Sequence, residues 1–148
     1  MENRTLIFLI LTLILTCLAK TKAIPQSLND LSLFPEDYNG QTIDFTNIYI
    51  WPMMFDIKHS GKNYYNILLN NYSEDFKFGS GDKITSVVNK ALAKQVSSNL
   101  KTNSTRIYKS NVRGKVIKIN DGFISEYFYL LSKIEVLDDY GKVYFIIE

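Results

Sequence analysis

The sequence predicts a mainly β domain of five strands with one helix between the third and fourth, arranged as a small Greek-key barrel. Three observations predict it. The first strand candidate is long and changes facing along its length; a four-residue apolar period interrupts the alternating segments once; and two long strand candidates follow that interruption.

The opening residues stay outside the fold. Met1–Thr5 is short and polar with Arg4, and Leu6 to Ala19 is an almost unbroken apolar run, too short to span a bilayer, where about 20 residues are needed. The pattern is that of a secretory signal peptide over residues 1–23. Cleavage after Ala23 (Thr21-Lys22-Ala23) and after Ala19 (Cys17-Leu18-Ala19) both fit. Ile14-Leu15-Thr16-Cys17 also distantly resembles a bacterial lipoprotein box, which would tether the chain at Cys17. Cys17 is the only cysteine, so a chain cut after Ala23 has neither a disulfide nor a thiolate nucleophile. The expectation is an exported protein, periplasmic or secreted, without a stable membrane span and resting on its own core.

Residues 24–40, with Pro25 and Pro35, show no sustained period and read as a lead-in segment. The domain proper is residues 41–148. Its first strand is read over Gln41–Phe55: Ile43 and Phe45 alternate with Asp44 and Thr46, and past Asn47 the apolar phase moves to Ile48 and Ile50, which predicts a bulge. Pro52 marks an edge, a bend or the strand end. "HSGKN" reads as a turn and "YYNILLNN" as the second strand. From Asp82 to Leu100, Ile84, Val88, Leu92, Val96 and Leu100 recur every four residues, a helical stripe that Asp82 can cap. The early part, "KITSVV", is rich in β-branched residues, so the third strand falls either at "EDFKFG" or in "ITSVV". "RIYKSNVRGKVIKI" and "EYFYLLSKIEVLD" supply the fourth and fifth strands, and "GKVYFIIE" a short final one.

This order, with "GQTIDFTNI" near the start, Gly114 in the fourth strand and the paired segment Val112 to Leu137, resembles exported bacterial OB-fold domains over most of residues 40–138. The resemblance implies binding of single-stranded nucleic acid, oligosaccharides or proteins through the face of strands two and three and the adjoining loops.

Charge is segregated along the chain. Residues 24–148 carry fourteen basic and fourteen acidic side chains, yet Lys83 to Lys118 holds nine basic residues and no acid. Such a segment presents a positive face unless folding interleaves it with the acidic strands. Within it, alternation predicts Lys109, Arg113 and Lys115 on one face of the fourth strand. A slip of phase at Val116-Ile117 would bring Lys118 onto the same side. These four form the expected anion-facing row. Stacking partners for a ring-bearing ligand are Tyr64 and Tyr65 on strand two and Tyr127 and Tyr129 on strand five, although aromatics also fit ordinary half-buried sheet surfaces.

No Gly-rich phosphate loop, nucleophile elbow or metal-ligand spacing occurs, and His59, the only histidine, sits in a turn. The sequence therefore calls for a non-enzymatic binding module without cofactor, metal or catalytic residue. Its expected partner is an anionic polymer (oligosaccharide or nucleic acid), a lipid head group or an envelope protein. The rival expectation is an interaction protein with an apolar contact surface around Trp51, Met53 and Met54. Asn71-Tyr72-Ser73 and Asn103-Ser104-Thr105 would be glycosylation acceptors in a eukaryotic source.

Overall fold

Alternating burial along Thr42–Trp51 makes β1: Ile43, Phe45, Ile48 and Ile50 are buried, while Thr46 and Asn47 are both exposed. A computed structural model describes this chain over residues 24–52, 56–59, 62–71, 85–102, 106–121 and 124–148. The candidate signal peptide, Met53, Met54, "EDFKFG" and Asp82 lie outside those residues. The facing switch in β1 has a local cause. Asn47 takes φ 55°, and the register against the partner strand shifts between Phe45 and Ile48. Asparagine tolerates this left-handed conformation better than most residues, and its N–H donates to Asn111 Oδ1 at 3.0 Å.

The strands that follow are β2 (Asp56–His59), β3 (Lys62–Asn66), β4 (Leu68–Asn70), β5 (Thr85–Val88), β6 (Tyr108–Asp121), β7 (Ile124–Leu137) and β8 (Val143–Ile147). All join one mixed sheet whose pairing runs β2-β3-β5-β7-β6-β1-β4, with β8 also on β7. The chain is thus mainly β with few helices. Where the sequence predicted five strands closed as a barrel, the described residues form eight in an open pairing path. The additions have clear origins. Asp56–His59 folds back on β3 as a hairpin, and the predicted second strand divides at Ile67 into β3 and β4. The third strand lies at Thr85–Val88, where it pairs parallel with β7.

That placement shortens the helix. Val87 and Val88 are both buried, as befits a strand covered on two sides. Helix α2, numbered after the short lead-in helix α1 (Leu28–Leu33), begins only at Lys90 and ends at Asn99. Asn89 caps it, its Oδ1 accepting the Leu92 N–H at 2.9 Å. Of the predicted stripe, Leu92 and Val96 lie on the helix and Leu100 closes it, all buried together with Ala93. Replacing Asn89 by alanine is expected to cost about 1 kcal/mol, read as a lower urea midpoint at unchanged slope.

The lead-in packs on the domain: Leu28, Leu31 and Tyr38 belong to the same core as Ile50, Ile67, Val116, Tyr129 and Ile134. Its end is tied to β6, for Gly40 N–H donates to the Val116 carbonyl at 2.8 Å and Val116 N–H to the Gln41 carbonyl at 3.0 Å. β6 and β7 form a long hairpin with one irregularity. Arg113 pairs with Lys133 and Gly114 with Leu131, so Ser132 is an extra residue on β7. Gly114 is required by close approach. A Cβ there would lie 2.7 Å from Tyr129 Cε2 and 2.8 Å from the Leu130 carbonyl oxygen.

Candidate functional site

Residues opposite each other in an antiparallel pair share a face, so the register decides what surrounds each cation. On β6, Lys109 lies opposite Tyr49, Arg113 opposite Asp44 and Lys115 opposite Thr42. Arg113 grips Asp44 with two hydrogen bonds, Nε to Oδ1 at 2.7 Å and Nη2 to Oδ2 at 3.1 Å. From the other side β7 contributes Glu135, which accepts from Asn111 Nδ2 at 3.1 Å and pairs with Lys133 Nζ at 2.7 Å. The titration directions agree with this arrangement. The Asp44 carboxylate pushes the Arg113 guanidinium up, and the Lys133 and Asn111 hydrogen bonds hold Glu135 below the ordinary carboxylate value. Asp44 and Glu135 come from the acidic segments on either side of the basic one. Folding has interleaved them with its charges.

Lys118 does not join this face. The pairing from Gly114 to Asp121 runs without a shift, so the phase slip expected at Val116-Ile117 is absent. Lys118 therefore shares the face of buried Val116, opposite that of Lys115. Its Nζ sits 5.4 Å from the centre of the Tyr127 ring, its cross-strand partner, in a cation–π contact. The row of four is thus three residues on one face and one on the other.

The aromatic set divides as well. Tyr129 is fully buried, donates its hydroxyl to the Ile43 carbonyl at 2.8 Å and meets Phe45 edge to face at 5.7 Å between ring centres. It is a core residue with no surface to offer a ligand, contrary to the expectation from sequence. Tyr127 is half-buried against the core. Tyr64 stacks on Phe128, the rings 11° from parallel and 6.5 Å apart. Tyr65, the next residue, points to the opposite face of β3, as successive strand residues do.

There Tyr65 lines an open depression of about 380 Å3 with Lys90, Ala93, Lys94, Ser97 and Ser98 of α2. This constellation escaped the sequence reading. Its signal is the four-residue spacing of Lys90 and Lys94, which puts both ammonium groups on one side of a helix. A second, smaller depression of about 200 Å3 lies over the Asp44, Arg113 and Glu135 face. A third, of about 220 Å3, brings Lys115 beside Asn89, Gln95 and Glu148.

Among the described residues no group of three His, Cys, Asp or Glu side chains could hold a metal ion. Among them, too, no helix is long and apolar enough to cross a membrane. Of the rival apolar surface only half-buried Trp51 is described. No family model, no curated protein and no solved structure matches the chain.

Proposed function

We propose that this chain is a non-enzymatic binding module of the OB type, exported from the cell, which takes an anionic oligosaccharide in the depression between β3 and α2. The barrel reading rests on treating β3, Ile67 and β4 as one bent strand. Ile67 N–H donates to the Ser86 carbonyl at 2.9 Å, so pairing with β5 continues to the point where β4 turns to β1. Each of these five strands then pairs with two others of the five, as closure needs, and α2 lies between the third and fourth.

The observation that carries the ligand reading is the lining of that depression. Two lysines, two serines and a tyrosine face it and, among the described residues, no carboxylate does, whereas Arg113 is already paired with Asp44 and Lys133 with Glu135. Cations and hydroxyls suit sulfate or carboxylate groups on a sugar, and the Tyr65 ring suits a pyranose face. Export favours glycans over nucleic acid as the polymer encountered.

Titration with a fluorescent sulfated oligosaccharide and with a single-stranded oligonucleotide, each at low and high salt, tests this. The glycan is expected to bind the more tightly, with affinity falling steeply as salt rises. Lys90→Glu with Lys94→Glu is expected to weaken it about tenfold or more. Arg113→Gln is expected to change it less than about twofold, because that side chain already has its partner. Loss of binding in Arg113→Gln with retention in the double variant would return the site to β6.

A further inference from the structure

The β8 strand is paired on one side only. β7 holds it through Ile134 to Leu137, and among the described residues no strand lies along its other edge. An open edge offers unpaired N–H and C=O groups to any extended chain, and monomeric proteins protect such edges with charges or proline. Val143–Ile147, "VYFII", contains neither. Its side chains are exposed to an unusual degree for apolar groups: Tyr144 is 76% exposed, Ile146 50% and Val143 47%, with Tyr140 at 90% just before them. Single exposed apolar residues are ordinary, but four within seven positions on an open edge are a contiguous sticky strip.

The charges flanking the strip say what covers it. Lys142 precedes β8 and Glu148 follows it, three residues either side of Phe145, and both are exposed. Two copies of the strand side by side and antiparallel therefore bring unlike charges together at both ends. A two-fold axis at Phe145 sets Tyr144 against Ile146 of the second copy and Lys142 against Glu148 of the second copy. Parallel pairing would instead oppose like charges. The far end of the strand is already held in place, since Gln95 Nε2 on α2 donates to the Glu148 carbonyl.

We propose that β8 is the contact through which two copies of this chain pair, edge to edge and antiparallel, so that one sheet runs through both. The pairing is isologous, closes on itself and leaves no free edge at β8. It does not depend on the ligand reading, because the Tyr65 depression and β8 share no residue.

Light scattering across a concentration series of the purified protein gives the test. The mass is expected to rise from one chain to two. Ile146→Lys, at an exposed position, is expected to hold the protein monomeric to at least about tenfold higher concentration. Lys142→Glu is expected to raise the dissociation constant about tenfold by opposing like charges, and adding Glu148→Lys to restore it within about twofold. A mass that stays that of one chain, a dimer indifferent to Ile146→Lys, or a charge exchange that fails to restore pairing would each overturn the proposal. The charge variants lie at exposed positions, which separates pairing from folding.

Discussion

Tyr129→Ala is expected to destabilise the protein by about 3–5 kcal/mol, the cost of removing a fully buried aromatic ring from a packed core. The ring touches Phe45 edge to face and its hydroxyl reaches across to the Ile43 carbonyl. It therefore links β7 to β1, although β6 lies between them. Tyr129→Phe keeps the ring and removes only the hydroxyl, leaving the Ile43 carbonyl without that donor, and is expected to cost about 1–2 kcal/mol. Urea unfolding of the two variants separates packing from hydrogen bonding. Unfolding midpoints unchanged in both would mean that the ring is not a core element and would reopen its role at a ligand surface.

The same residue predicts a pH dependence. Burial pushes the Tyr129 phenol up, and the negative charge of Asp44 adds to the effect. The folded state thus keeps a proton that the unfolded chain loses. Its stabilisation is fully present below the ordinary tyrosine value of about 10 and declines as pH climbs above it toward the raised value. Tyr129→Phe is expected to flatten that decline relative to the parent, measured as the difference between their unfolding free energies through the alkaline range.

Much of the backbone pattern was legible because it depends on neighbours in sequence. Ile43 and Phe45 followed by Ile48 and Ile50 announce a change of facing, and Asn47 provides it. Leu92, Val96 and Leu100 announce a helix, and the crowding of β-branched residues before Asn89 explains why Val88 belongs to a strand and the helix begins only at Lys90. The Asp56–His59 strand was missed because its character comes from pairing with β3 and not from its own alternation. The site was less legible, since its charges depend on register. Asp44 and Arg113 stand 69 positions apart, and only the β1–β6 pairing brings them together. Val116 and Ile117 look like a slip of phase because both faces of β6 are apolar there, one meeting Tyr129 and the other Phe128. The irregularity that does occur, at Ser132, lies in the partner strand. Nothing within β6 itself could have revealed it.

Gly114→Val is expected to destabilise the fold by about 3 kcal/mol or more, and Gly114→Ala by about 1–3 kcal/mol, as overpacking of a close-fitted core does. The two obstacles at Gly114 differ in kind. The Leu130 carbonyl belongs to the β7 backbone and is fixed by pairing, whereas the Tyr129 ring edge is a side chain. That ring can retreat from a new Cβ only by straining its hydrogen bond to Ile43 and its packing on Phe45. A double-mutant cycle distinguishes the contributions. In a Tyr129→Ala background the ring is gone, so Gly114→Ala is expected to cost about 0.5–1 kcal/mol less than in the parent. It is still expected to cost something, because the Leu130 carbonyl remains. Strict additivity would show that the ring does not bar a side chain at position 114. Complete relief would show that the β7 backbone yields and that Tyr129 alone makes glycine necessary there.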